Sequence, residues 1–504
     1  MIKPSKENIL ISVLIFAKVL MHTYSNLVSG YHWDEFLHIE SGKHLAWGFT
    51  DFPPMIGLIA WIQNLLDSES LIINRLFINL VGVFTLIVTA KIIKKLGGGF
   101  HAILIALLCL LFSPIIGTYH TGFLPSGFSH FFQLLVIYYL ICFYTDKKDN
   151  YLYHASIAMA LGFMTKYLVG YLILSMFLSV TIFDRTLYKN KTFWKAIVLF
   201  LLIILPNLIW QINHNFPLLD HISALVATDL NNTSLLSELA SLALLFNPII
   251  LIISIIGIIT FSFCKVHKSM RMIGIILLLL FLIIILTNGK FYYLLPALIP
   301  AISLGAISIE NWIRSNKYAV SAIALSIIIS GILLVPLGMP FFKPEKFVEL
   351  YKIKKLEDDR TPIAFQHFYS QNIWPQVLNE FKTIIEGLPD SEKDKCIIWG
   401  KHYGHIGFVD LYREEYGLPL AINHMGSYHD WIPELHKKAV YITTGEINLT
   451  PNFWLQFFDD VEEVSMIQNK YATDYQHSGI RFYICRGLKY SSTEIKQIIN
   501  KYDF

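Results

Sequence analysis

The sequence predicts an α-helical polytopic membrane protein with a small α/β domain at its C-terminal end. Of its 504 residues, 54% are hydrophobic and only 15% are charged. Mean hydropathy is +0.52, outside the range of soluble globular chains. The apolar residues are also segregated. Runs near the roughly 20 residues needed to cross a bilayer recur from about residue 8 to about 337, and ordinary mixed composition follows. The chain is therefore expected to divide into a multi-span membrane domain, 1–340, and a water-soluble domain, 341–504.

The spans fall at 8–28, 72–93, 101–117, 129–145, 152–165, 168–183, 194–210, 241–263, 272–288, 292–309 and 318–337, about eleven helices. The first run lacks a small-residue cleavage site and is followed by many more, so it reads as the first span and not as a cleavable signal. Lysine and arginine set the orientation. With Lys3 and Lys6 on the cytoplasmic side, the connections holding Lys91, Lys94 and Lys95, then Lys147 and Lys148, then Arg185, Lys189, Lys191 and Lys195, then Lys265, Lys268 and Arg271, then Arg314 and Lys317 are all cytoplasmic. The expected location is the cytoplasmic (inner) membrane, with the N-terminus cytoplasmic and the C-terminal domain extracytoplasmic. The loops 29–71, 118–128 and 211–240 then lie outside with that domain.

Polar chemistry collects on the outer side. The first outer loop contains "GYHWDEFLHIESGKHLAWGFTDFPPM", with Asp34, Glu35, Glu40, Asp51 and three histidines. Asp34 and Glu35 are adjacent, about 100° apart on a helix, so only one can address a given substrate atom. Pro53 and Pro54 end any helix before the next span and leave Asp51 at its start. The plainer alternative is that these acids are solvated loop residues. His32, His38 and His44 recur every six residues and leave a divalent-cation site conceivable, without a HExxH or Cys/His pattern to support it. Lys166 and Lys290 sit at outer span ends and Arg75 near the start of the second span. They could snorkel to head groups or neutralise a phosphate.

The strings "YHWDEFLHIESGKHLAWGFTDFPPMIGLIAW", "FMTKYLVGY", "LPNLIWQINHNFP", "GKFYYLLPALIPA", "WGKHYGHIGFVDLYREEYGLP" and "NHMGSYHDWIP" occur in that order. They resemble the bacterial membrane glycosyltransferases of the protein-mannosyltransferase and aminoarabinose-transferase type, family 39, which have the GT-C fold. The resemblance runs through the membrane domain to about residue 431. It implies an inverting transfer from a polyprenyl-phosphate sugar donor to a hydroxyl of a cell-envelope acceptor: a glycolipid, a glycan or a protein. It implies Asp34 as catalytic base with Glu35 beside it, and Asp51 as the acid before the paired prolines. Lys166 and Lys290 fall where the family has lysines near the donor phosphate. With Asp51, Arg75, His120, and the string residues His214 and Tyr293, they make up the expected substrate-binding set. Many relatives carry an acid in the second outer loop; here "YHTGFLPSGFSHFF" offers only His120, Ser126, Ser129 and His130. That departure puts a second carboxylate, and any metal it would hold, in doubt.

In the tail, "KCIIWG", "AVYITTG", "VEEVSMI" and "GIRFYICRGL" read as strands, with a helical piece over 404–416. The stretch 422–433 could stack on sugar or pack against the membrane domain. Gly400, Gly404 and Gly407 do not make a phosphate fingerprint. Cys396 and Cys485 could pair if the tail is exported. A net charge of +3 without a basic, aromatic-laced stripe excludes nucleic acid as a partner. The rival functions are a secondary transporter of an anionic solute and a membrane-tethered binding protein. Against transport, no internal repeat is evident and the noted charges lie at span ends.

Overall fold

A computed structural model describes residues 5–67, 69–228, 234–313, 316–364 and 373–499. Lys3 and Arg314, used above for orientation, lie outside the described residues. The chain forms two compact units. One holds the described residues up to Ser25, Phe52–Ile56 and Arg75–Met339; the other holds Asn26–Asp51, Gly57–Asn74 and the described residues from Pro340 onward. The first outer loop thus packs with the C-terminal segment.

In the first unit every one of the eleven apolar runs contains helix. Among the described residues six helices are long and apolar enough to span: Lys6–Val28, Leu76–Lys95, Pro125–Asp146, Lys191–Asn213, Phe291–Ile313 and Lys317–Gly338. Two runs expected as single spans are bent pairs. Phe100–Leu111 turns by 66° into Pro114–Thr121, and Leu235–Phe246 by 103° into Pro248–Phe263. Asn247 causes the second bend, with φ of 76° and a side chain that accepts from the Ile249 amide, immediately before Pro248. Val169–Phe183 and Arg271–Leu286 are shorter apolar helices, and Asn150–Phe163 has 14 residues.

Small residues let the helices close. A Cβ on Gly305 would lie 1.9 Å from the Ile253 carbonyl oxygen, and one on Gly257 2.3 Å from that of Ala301. In hydrocarbon, where lipid is as apolar as leucine, such backbone approach is what holds helices together. One end of the bundle is tied by polar contacts. Lys94 reaches Glu7 and Asn8, Lys95 pairs with Asp146, and Tyr144 donates to Asp184. Glu310 accepts from the amides of Gly99, His101 and Ala102, capping the Phe100–Leu111 helix from a distance. The lysine-bearing connections at 91–95 and 147–148 thus share an end with the chain start.

The second unit is built on a five-stranded sheet. Its strands are β1 (Cys396–Gly400), β2 (Ala421–Asn423), β3 (Val440–Glu446), β4 (Phe458–Gln468) and β5 (Gly479–Leu488), in the order β2-β1-β3-β5-β4. The first three are mutually parallel; β5 runs antiparallel to β3 and β4. Four strands fall where the sequence places them. The three-residue β2 was not foreseen. Trp399, Trp454, Tyr441 and Tyr483 are fully buried in its core. The Cys396–Cys485 pairing that the sequence left open does not form. Cys396 faces Val440 and Cys485 faces Tyr441, so β3 lies between them. Two strand spacings, roughly 9–10 Å, exceed the reach of a disulfide, and both cysteines are free.

Candidate active site

The acid-bearing loop begins with an eight-residue helix, Trp33–Glu40, and its own side chains start it. The His32 ring accepts from the Asp34 amide (3.1 Å) and Glu35 Oε2 accepts from the His32 amide (2.8 Å), a reciprocal capping box. This separates the two adjacent acids. Glu35 is fully buried, whereas the Asp34 side chain keeps 39% of its surface. Tyr403 Oη donates to Asp34 Oδ1 at 2.6 Å. Burial, then the Asp34 charge and this hydrogen bond, hold the Tyr403 phenol well above its ordinary value, so it remains a donor.

Asp51 is a clasp. Its Oδ2 accepts from both the backbone amide and the hydroxyl of Ser427, each at 2.7 Å. Next to it Thr50 donates to Asp430 at 3.1 Å. The 422–433 stretch therefore packs on the first loop and on Trp399, whose Nε1 donates to His424 Nδ1 at 3.1 Å.

At the end of the Trp33–Glu40 helix, Lys43 bridges Glu40 (2.7 Å) and Asp410 (3.0 Å), and His44 reaches Glu40 at 3.3 Å. Burial opposes ionisation of Glu40, but hydrogen bonds from His44 and Lys43 and the lysine charge bring its carboxyl down to about 2. Burial and the Glu40 charge push Asp410 up to about 6. The three loop histidines diverge: His32 caps, His38 is buried, and His44 stacks on Trp431 at 4.4 Å. Among the described residues no three His, Cys, Asp or Glu side chains are grouped to hold a metal.

The cations and aromatics of the expected binding set lie in the first unit. Lys166 Nζ is 2.7 Å from Ser126 Oγ and lies over the rings of Tyr292 (5.2 Å) and Tyr293 (5.5 Å). Tyr119 sits against both Tyr292 (5.3 Å) and His130 (5.5 Å). Tyr167 donates to Asn207 and accepts from Gln211, tying "FMTKYLVGY" to "LPNLIWQINHNFP". Lys166 and Tyr293 are thus brought together, and Lys290 precedes the short helix that carries Tyr293. Arg75 is fully buried at the start of Leu76–Lys95. His214 is exposed and stacked on Trp210 at 4.1 Å, where it ends its helix. His120 belongs to a different cluster.

That cluster, which sequence reading missed, holds Lys18, His22 and His120, all buried. Lys18 Nζ is 2.9 Å from His22 Nε2, Thr121 Oγ1 3.2 Å from His22 Nδ1, and the His22 and His120 rings are 6.5 Å apart. Lys18 and His22 sit inside the first span, so ionisable groups beyond those noted in the sequence are not confined to span ends. The i, i+4 spacing of a lysine and a histidine in an apolar run is the signal available for them. Tyr403, also missed, has no local signal.

Residues 51–210 match the family model described as dolichyl-phosphate-mannose-protein mannosyltransferase. The matched segment takes in Asp51, Arg75, His120 and Lys166. No curated protein sequence matches the chain. Among solved structures, ArnT from Cupriavidus metallidurans in the apo state is similar, with a TM-score of 0.56 at 13% identity over 94% of this chain and 97% of that one. The same protein bound to undecaprenyl phosphate gives 0.54 at 13% identity, with the same coverage. The likeness bears out the GT-C fold with its small sheet domain, and with the family match it bears out the glycosyltransferase resemblance.

Proposed function

We propose that this chain, a membrane glycosyltransferase of GT-C fold, moves a sugar from a polyprenyl-phosphate donor to a hydroxyl of a cell-envelope acceptor. The transfer takes place at the outer face of the cytoplasmic membrane, with the N-terminus inside and the sheet domain outside. The acceptor oxygen attacks the anomeric carbon, the bond from that carbon to the phosphate oxygen breaks, and its electron pair leaves with polyprenyl phosphate. The hydroxyl proton passes to the Asp34 carboxylate. One displacement inverts the anomeric centre and needs no protein nucleophile. Lys166 and Lys290 hold the donor phosphate and stabilise the charge that develops on it.

The observation that carries this reading is the contrast between neighbours. Glu35 is buried and spent on a helix cap, while Asp34 retains surface and is held in one orientation by Tyr403. The donor class is supported by ArnT, a protein of the same fold solved with undecaprenyl phosphate. The polar links among the lysine-bearing ends support one sidedness for those connections, and the positive-inside rule assigns it to the cytoplasm. The Lys18–His22–His120 cluster and the two bent helix pairs are features a transporter would also want, but the family match and the fold favour transfer over transport.

The test is sugar transfer by the purified chain in liposomes, with polyprenyl-phosphate sugars as donors and envelope fractions from cells lacking the gene as acceptors. Wild type should transfer one sugar to one fraction, and Asp34→Asn should fold normally and transfer none. Full turnover by Asp34→Asn removes Asp34 from the mechanism.

A further inference from the structure

Helix Tyr403–Leu411 runs alongside Trp33–Glu40 in the same direction and meets it at four positions of one face. A Cβ on Gly404 would stand 2.8 Å from Trp33 Cβ, and one on Gly407 2.3 Å from Phe36 Cβ, so only glycine permits this approach. At one end Tyr403 donates to Asp34; at the other Asp410 pairs with Lys43, which also holds Glu40. The spacing 403, 404, 407, 410 is a single helical stripe. It is devoted to fixing the helix that carries Asp34.

We propose that Tyr403 is a positioning residue for sugar transfer: its phenol fixes the orientation of the Asp34 carboxylate and shares its charge. The inference rests on the reading of Asp34 as base. A phenol-to-carboxylate bond of 2.6 Å is charge-assisted. It favours the ionised acid and holds it turned toward one direction, which is what a base needs before the acceptor arrives. Tyr403 is itself held. It is buried, and its ring lies parallel to Tyr428 (6.3 Å, 8°) and against His402 (4.3 Å). Titratable groups near the pair include His32, with Nδ1 3.7 Å from Asp34 Oδ2, and Asp51, His402 and Tyr428. Each sits in a hydrogen bond or a packed contact of its own.

Two variants test this in the full chain in liposomes. Tyr403→Phe keeps the stacked ring. It should lower kcat about 10- to 100-fold, leave KM for donor and acceptor within about twofold, and move the acid limb of kcat/KM up by about one pH unit. Site-specific 3,5-difluorotyrosine at 403 keeps both ring and hydroxyl and makes a stronger donor, so the acid limb should move down. A residue that only packs would move neither limb. Wild-type kcat and an unmoved limb in both variants overturn the proposal, and the fluorinated variant decides alone if Tyr403→Phe does not fold. An inactive Asp34→Asn beside those results would sink Tyr403's role and spare the base. An active Asp34→Asn would sink the base itself.

Discussion

Ser427 closes on Asp51 with both of its donors, the backbone amide and the hydroxyl, on a single carboxylate oxygen at 2.7 Å each. Two hydrogen bonds to one charged oxygen tie the end of the first loop to the sheet domain, and they require Gly426 beside them. Gly426 has φ of 53°, and a Cβ there would come 2.5 Å from both Asp51 carboxylate oxygens.

Gly426→Ala is therefore expected to destabilise the protein by more than the left-handed backbone alone costs, roughly 2–4 kcal/mol in all. Ser427→Ala, which keeps the amide bond, should cost about 1–2 kcal/mol. Thermal unfolding of the two variants in one detergent measures the order. A Gly426→Ala melting point equal to wild type would mean Asp51 can swing away at no cost, and the clasp would be incidental.

The buried carboxylate of Glu35 supplies a different expectation from its neighbour. Glu35→Gln keeps an oxygen for the His32 amide and should retain measurable transfer. Glu35→Ala leaves that amide without its cap and should lower stability by about 1–3 kcal/mol. If Glu35→Gln were as inactive as Asp34→Asn with its fold intact, the two acids would have to share the chemistry.

Much of this architecture is legible in the sequence because its signals are local. The runs "KCIIWG" and "GIRFYICRGL" announce strands by alternation and β-branched content, and hydropathy finds the eleven long apolar runs but not the apolar helices Met55–Asp67 and Pro217–Ala227 within the loops. The bends do not register in hydropathy, which is continuous across residues 112–113 and 247–248; the Asn247-Pro248 pair was the usable signal. β2 escapes because three residues buried in a parallel arrangement carry no periodicity. Asp34 stands out as an acid between apolar runs, but its partner Tyr403 lies 369 residues away, and only the tertiary fold brings them together. Lys18 and His22 escape for the opposite reason, since two polar residues do not break an apolar window.

The pH dependence of the second unit has two opposed parts. Buried His402, His405 and His424 are all lowered, chiefly by burial, His405 to about 4 and His424 to about 3. The unfolded chain then binds the extra protons below its ordinary histidine range, so their contribution is present above about pH 6.5 and is lost on acidification. Asp410 acts the other way. Its folded value of about 6 lies above the ordinary 3.8, so the folded chain binds the proton more tightly and folding gains as pH falls through 6 toward 4. Asp410→Asn removes that gain. Relative to wild type, it should lose about 1–1.5 kcal/mol between pH 7.5 and pH 5. Melting curves of both proteins across that range supply the comparison, and parallel curves would show that Asp410 titrates where it would in the unfolded chain.

Lys166 tests the donor half of the reaction. Its ammonium is 2.7 Å from Ser126 Oγ and lies over two tyrosine rings, contacts that hold a cation in place. A donor phosphate beside it would form a charge-assisted pair with the ammonium. Wild type should bind undecaprenyl phosphate in preference to uncharged undecaprenol, and Lys166→Ala should weaken the phosphate lipid about 10- to 100-fold while leaving the alcohol unchanged. Lys166→Arg, which keeps the charge with a different reach, should fall between them. Lys290→Ala should show a loss of the same kind if both lysines serve the phosphate. Equal affinity for the two lipids in wild type, or an unchanged preference in Lys166→Ala, would assign Lys166 to anchoring its tyrosines at the membrane edge and would leave the leaving group to another cation.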